Sequence, residues 1–426
     1  MNIICNRDVL NEAVTPALYA ISTKNTVPAL ECFLLTADKD SGILVICGYD
    51  LEKGIKVTVA GEEIQINESG KIVVNAAKFS SVIRNLPEGD VSISTDDNFS
   101  VTVKSNRSEF TLHGLDSETY PLMPELKGEK NFKLSRKILK NMIISTLFAV
   151  ANNNQRASLN GALFEIKNNQ INVVGVDGNR LALRRSFEGV SESSEELDLN
   201  FIIPGKSLSE LLKLIGDEEE PAEIELTRKH VIISFDNIIY FSRLIESEFL
   251  DYRRTIKADP RLTVLIDTRS FTESVERASV LTEDKQKTLV KLIFKNKEIN
   301  IENKEHAGSL HITFDSALGK LRDECDIGIY GDDMEIGFNH KYLLDALKAI
   351  REEKILLKLE SPTKSLLILP YNGDTKEDKE NKDKDSKDSK DSIDNFDIDI
   401  DIDIEKTMDT ENSKFLYLVL PVRLRD

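Results

Sequence analysis

Arg84, Lys213 and Lys348 ride on one recurring helical phrase, with apolar residues at i, i+3, i+4 and i+7; 129 and then 135 residues separate these cations. The phrase reads Phe79, Val82, Ile83, Leu86, then Leu208, Leu211, Leu212, Ile215, then Leu343, Ala346, Leu347, Ile350. Cations repeated in register can meet a repeated anion, and phosphate contacts of that kind are sequence-independent and weaken with salt. No other chemistry is laid out along the chain. It lacks G-x-x-x-x-G-K-[ST], G-x-S-x-G and H-E-x-x-H, and His113, His230, His306, His311 and His340 have no partners at ligand spacing. Cys5, Cys32, Cys47 and Cys325 form no CxxC, so no metal, cofactor or catalytic site is expected. An enzyme is therefore the weaker class of function.

These cations need elements to hold them. A second helical phrase opens each copy: Arg7 before Val9 and Leu10, Arg136 before Ile138 and Leu139, Arg269 before Phe271. Two phrases sharing one long period mean whole domains in tandem, over 1–128, 129–259 and 260–426. Between the phrases lie short β-branched or alternating runs such as Ile43–Ile46, Val101–Val103, Ile171–Val174 and Leu356–Leu359. The expected class is α+β, each copy packing two helices on antiparallel sheets with one helix face left free. That face carries Arg7, Arg136, Lys137, Lys140, Arg269 and Arg277 on the first helices and Lys78, Arg84, Lys206, Lys213, Lys341, Lys348 and Arg351 on the second. Lys and Arg solvate any exposed helix, so one such face means little; recurrence at equivalent positions gives it weight.

The net charge of −18 is unevenly spread. Residues 372–413 hold 16 Asp or Glu against 7 Lys, which accounts for half of it. The remainder is ordinary for an acidic protein and can still carry a basic lining. There is no run of 18 apolar residues, and MNIICNRD lacks the regions of a signal peptide, so a cytoplasmic location is expected.

Several motifs together resemble the bacterial DNA polymerase III beta subunit, the replicative sliding clamp, over all but the acidic insert. They are Thr26-Val27-Pro28 with Leu30, Gly48-Tyr49-Asp50-Leu51, Leu159-Asn160-Gly161 with Phe164-Glu165, and Asp177-Gly178-Asn179-Arg180-Leu181-Ala182. Asp251-Tyr252-Arg253-Arg254, Met334 to Asn339 and Leu420-Pro421-Val422-Arg423-Leu424 complete the set. The resemblance implies three similar domains in a crescent, with two crescents closing head to tail as a homodimeric ring around double-stranded DNA. It places Lys24 and the loop Asn153-Asn154-Gln155-Arg156 near the DNA. It implies contact of Phe110 and Leu112 with Val280 and Leu281 of a second copy. It also implies a groove for short peptides made by Leu159, Val176, Gly178, Asn179, Arg180, Leu181, Arg254, Asn339, Tyr342, Leu418, Leu420, Pro421, Val422 and Leu424. The occupants so implied are the DNA polymerase III catalytic subunit, the clamp loader, other polymerases and mismatch-repair proteins. The alternative is a repeat scaffold that binds proteins without encircling DNA.

The chain departs from the pattern at Leu250, Val176 and Asn179, and it runs on through Arg425 and Asp426. The insert at 372–413 splits an expected hairpin. Its Lys-Asp-Ser repeats cannot bury enough apolar surface to fold, and Asp397 to Ile404 alternates Asp with Ile. Calcium ligation there is disfavoured, since the Gly and distal Glu of a calcium loop are missing. The insert's anchor points are expected beside the groove, where its Ile-bearing strand would cover the peptide site.

Overall fold

The computed structural model describes residues 1–22, 27–124, 128–167, 169–187, 190–191, 197–256, 259–281, 289–296, 307–316, 318–371 and 414–422. Lys24, Leu424 and the insert at 372–413, with the expectations attached to them, lie outside the described residues.

The helices are α1 (Arg7–Ala17), α2 (Ala76–Asn85), α3 (Arg136–Leu147), α4 (Gly205–Leu211), the single turn α5 (Arg253–Ile256), α6 (Thr268–Ser279) and α7 (His340–Ala349). Polar side chains satisfy the first free N–H groups of four of them. Asn6 accepts from Asp8 N at 2.8 Å, Asn75 from Lys78 N at 3.0 Å, Asp267 from Ser270 N at 2.7 Å and Asn339 from Lys341 N at 3.0 Å. Helix α4 has Pro204 at this position and no side-chain cap. It ends at Leu211, so Lys213 stands on the following turn rather than on the longer helix its phrase implies. Apolar stripes face inward as the periodicity requires: Phe79 and Ile83, Leu208 and Leu211, and Leu343, Ala346 and Leu347 are all buried.

The chain divides into two compact units. The first comprises Met1–Lys140, Ile166–Asn169 and Glu188–Ser247. Most of its strands form one continuous sheet in which Lys53–Val59 pairs antiparallel with Ile238–Arg243, with Phe241 opposite Gly54 and Ser242 opposite Lys53. A Cβ on Gly54 would stand 2.2 Å from the Phe241 ring, so only glycine admits that ring. The second unit comprises Asn141–Glu165, Gln170–Phe187 and Glu248–Asp426. There Arg180–Ser186 pairs with Phe415–Val419, setting Arg180 opposite Val419 and Leu181 opposite Leu418. Its core is the cluster around Phe271, Val275, Phe294, Phe338, Leu343 and Tyr417. Two units rather than three arise because sheet pairing joins residues 53–59 to 238–243 as firmly as any pair within a single copy.

The insert does interrupt a hairpin. Leu366–Tyr371 pairs with Phe415–Val419, Leu367 opposite Leu418 and Ile368 opposite Tyr417. The corresponding hairpin of the first unit, His230–Phe235 with Ile238–Arg243, closes through Asp236 and Asn237 alone. The two tips share a bond: Thr58 N donates to Asn237 O at 2.9 Å, and Arg185 N to Lys414 O at 2.8 Å. This corrects the expected anchor position. Lys414 and Leu420 lie at opposite ends of one extended segment, six residues and roughly 20 Å apart at the rise of a strand. The insert therefore leaves at the hairpin tip, and the groove residues sit at the far end.

Candidate nucleic-acid interface, strand edges and peptide groove

The helix cations fall into two groups. Arg7 on α1, which pairs with Asp8 at 3.2 Å and lies 3.9 Å from Glu88, those at the start of α3, both on α6 and Lys348 on α7 are already engaged by carboxylates. Arg136 is the clearest correction: it is 4% exposed, not on a free face. Its guanidinium donates to Asp236 Oδ2 at 2.7 Å, to Glu220 O at 3.1 Å and to Glu220 Oε2 at 3.3 Å, with Glu218 3.7 Å away. Lys137 pairs with Glu219 at 2.6 Å and Lys140 with Asp217 at 3.0 Å. The acidic run Asp217–Glu220 is thus the complement of the start of α3, a signal present in the sequence and not used. Arg269 pairs with Glu273 at 2.8 Å, Arg277 with Asp323 at 2.6 Å and Lys348 with Glu276 at 3.0 Å. Burial tends to raise the pKa of Asp323, but hydrogen bonds from Arg277 and Ser274 outweigh it and hold the carboxyl below its ordinary range.

The second group is exposed, with no ion pair to a carboxylate among the described residues: Lys78, Arg84, Lys206, Lys213, Arg351 and, in the loop before Leu159, Arg156. Lys213 Nζ lies 4.9 Å above the Tyr19 ring, a contact that leaves its charge available. Lys341 is exposed at the start of α7. The loop is pinned from inside, since Asn160 accepts from Asn154 N at 2.7 Å and donates to Asn154 O at 2.9 Å. Asn153 then takes a positive φ of 57°, and Asn153, Gln155 and Arg156 are turned outward.

The Arg136 cage carries a separate expectation. Replacing it by Met keeps the packing of the stem and removes hydrogen bonds to charged groups worth about 1.5–3 kcal/mol, discounted because the carboxylates are half in water. Urea unfolding of Arg136→Met should show a loss of about 2 kcal/mol with unchanged DNA binding. A variant of full stability with weakened DNA binding would return Arg136 to the free face.

Among the described residues, two strands that lie inside their sheets leave most of one edge unpaired. Ser108–Leu115 pairs with Ser100–Ser105 along one side, but on the other only Gly114 and Leu115 meet a partner. Phe110 and Leu112 lie opposite Val103 and Val101, on the apolar face of this pair, and Phe110 is 40% exposed. In the second unit Gly319–Gly331 pairs with Ala307–Ser316 over residues 319–328, whereas on the other side only residues 328–331 pair with Leu262–Asp267. Val280 and Leu281 sit beside the start of that edge: Ser316 Oγ donates to Leu281 O at 3.0 Å, and Val280 is 79% exposed. Open apolar edges of this kind are templates for pairing with another chain.

The described residues expected to line a peptide groove all belong to the second unit. Leu159, Val176, Leu181 and Leu418 are buried; Leu420, Pro421, Val422, Gly178 and Asn179 lie toward the surface. Leu420 N donates to Asn179 O and Val422 N to Gly337 O, both at 2.8 Å, which seats the last described residues against the turn at Gly178 and the strand before α7. Arg180 is the hub. Its Nε donates to Asp177 Oδ2 at 2.8 Å, its other nitrogens reach Asp345 and the carbonyl of Phe148, and its Cζ lies 4.4 Å from the Tyr342 ring centroid. Burial would lower the pKa of Arg180, but the bonds to Asp345 and Asp177 more than reverse this and keep it cationic. Asp345 and Phe148 were not singled out by sequence reasoning, and Asp177 only as part of a motif. Arg254 pairs with Asp251 at 2.9 Å with its side chain 86% exposed, and the Asn339 carboxamide caps α7.

Comparison with known proteins bears on the same three surfaces. Models of the DNA polymerase III beta subunit match the chain in three consecutive pieces, the N-terminal domain over residues 1–124, the central domain over 133–251 and the C-terminal domain over 253–380. The beta sliding clamp of Staphylococcus aureus is 31% identical over 382 residues, 88% of this chain and 97% of its own. That of Halalkalibacterium halodurans is 30% identical over 382 residues with the same coverage. The crystal structure of the DNA polymerase sliding clamp from Bacillus subtilis superposes with a TM-score of 0.84 at 27% identity, both chains being covered in full. A tandem fold, helix cations free of carboxylates and three consecutive matches to one family agree: this chain belongs to the DNA polymerase III beta subunit family and is a DNA sliding clamp, a processivity factor without catalysis of its own.

Proposed function

We propose that the three copies, over 1–128, 129–259 and 260–426, form a crescent, and that two crescents close head to tail around duplex DNA. The observation that carries this is the pair of open edges. Among the described residues, Ser108–His113 of one protomer and Gly319–Ile327 of its partner each lack a strand on one side, and each has apolar residues on or beside it, exposed Phe110 with half-buried Leu112 against exposed Val280 with half-buried Leu281. Pairing them twice closes a cyclic dimer. The pore would present Lys78, Arg84, Lys206, Lys213, Lys341, Arg351 and Arg156, with Asn153 and Gln155, to phosphates. Long solvated side chains make contacts that are weak and interchangeable, which is what sliding requires. The paired cations Lys137, Lys140, Arg269, Arg277 and Lys348 would act only after leaving their carboxylates.

The groove around Arg180 is proposed to take short apolar peptides from the DNA polymerase III catalytic subunit, the clamp loader, other polymerases and mismatch-repair proteins. Leu420, Tyr342 and the exposed turn Gly178–Asn179 offer apolar surface with a few polar fixers. The test of encirclement is retention of labelled protein on a nicked circular plasmid after loading with the cognate clamp loader and ATP, in parallel with a known clamp. Retention on the circle with loss after one cut is expected. Equal retention on circle and cut plasmid would mean ordinary binding and would favour the scaffold alternative.

A further inference from the structure

One joint is built twice in this chain. Asp50 Oδ1 accepts from the N–H groups of Glu52 at 3.0 Å and Lys53 at 2.8 Å; Asp177 Oδ1 accepts from Asn179 at 2.9 Å and Arg180 at 3.1 Å. The residue after each Asp is left-handed, Leu51 at φ 76° and Gly178 at φ 96°. The cation that closes each turn reaches onward to a helix. Lys53 Nζ lies 3.0 Å from Asp50 and 2.6 Å from Glu210 on α4, and Arg180 bridges Asp177 and Asp345 on α7. Three residues before each helix carboxylate, a backbone carbonyl accepts from a buried tyrosine: Tyr240 Oη to Ser207 O at 2.9 Å, and Tyr417 Oη to Tyr342 O at 2.6 Å. Even the neighbouring strand bond repeats, Arg243 N to Glu52 O and Leu420 N to Asn179 O.

The copies differ where it matters. In the first unit the cation is a lysine, 3% exposed, and Ser207 carries no ring. In the second the cation is a planar guanidinium, and Tyr342 supplies a half-buried ring beneath it. A guanidinium stacks only if its plane is fixed, and a plane is fixed by acceptors at separate nitrogens. Asp177 takes Nε from the turn's own side, whereas Asp345 takes its nitrogen from α7, one helical turn beyond Tyr342 and on the same face.

We infer that Asp345 is a positioning residue of the peptide groove: holding the Arg180 guanidinium against Tyr342, it sets the wall on which an apolar peptide side chain packs. Glu210, its counterpart in the first unit, ties the joint without serving a groove. This rests on the peptide-groove function proposed above. Without Asp345 the guanidinium turns about Nε, the ring loses its stacking partner, and the wall is no longer preorganised.

The test uses the full chain and a synthetic peptide copying the C-terminal tail of the cognate polymerase III catalytic subunit, followed by fluorescence anisotropy. Asp345→Asn is expected to bind about tenfold more weakly, Asp345→Glu to regain most of the loss, and Glu210→Gln to lose thermal stability with unchanged peptide affinity. In an Arg180→Ala background Asp345→Asn should cost nothing further. The chain has no tryptophan, so Tyr342→Trp supplies a single reporter whose emission should shift when Asp345→Asn is added, with no peptide present. Wild-type affinity in Asp345→Asn, losses that add in the Arg180→Ala background, or an unmoved emission would overturn the assignment. A wild-type chain that fails to bind the peptide would overturn the groove itself, a result distinguishable from all of these.

Discussion

Phe110→Asp is expected to leave a folded monomer at micromolar concentration where the wild-type chain sediments as a dimer. Phe110 is 40% exposed on an edge without a partner strand, so the protomer does not need its ring for its own core. At the contact with Val280 and Leu281 the ring would be covered, worth about 1.5–3 kcal/mol per interface. A carboxylate in its place adds the cost of desolvating an unpaired charge against an apolar surface, at least a few kcal/mol more. The proposed ring would have two such interfaces, so both penalties would count twice, and the loss should exceed about 10⁴-fold in the dimer constant. Sedimentation velocity with a parallel thermal melt is decisive. An unchanged dimer would show that subunits meet elsewhere, and an unfolded monomer would show that Phe110 belongs to the core.

The second large effect concerns the cations that no carboxylate holds. Reversing Arg84 and Lys213 together should weaken binding of a short duplex at low salt by at least about 100-fold and flatten its salt dependence. Each phosphate contact contributes a slope of about 0.9, and a dimer loses four of them, so the slope should fall by about 3 to 4. The matching reversal of Lys137 and Lys140 should cost much less, because Glu219 and Asp217 already compensate those charges. Equal effects from the two pairs would mean that the ion pairs open freely on DNA. No effect from Arg84 and Lys213 would leave the scaffold alternative standing.

Much of this molecule is legible without coordinates. Apolar stripes at helical spacing identify α2 and α7 because a helix can bury only one face, and Phe79, Ile83, Leu343 and Leu347 are buried as that demands. The tandem period, the α+β class and the split hairpin at 372–413 follow from local pattern alone. The length of α4 does not, since Leu212 and Ile215 continue the apolar periodicity after the helix has given way to a turn.

What the sequence by itself determined, then, is the set of repeated elements and which residues belong to one face. What only the tertiary structure decided is which charges remain available. Arg84 and Arg136 look alike in sequence, both being basic residues on a recurring amphipathic phrase, yet Arg84 is solvated and Arg136 is closed in by Glu218, Glu220 and Asp236. Arg180 likewise becomes a hub only when Asp345, 165 residues away, is carried to it by α7. Periodicity is a property of neighbours in the chain, whereas the Coulomb energy of a charge depends on every group within a few ångströms, and most of those arrive from distant strands.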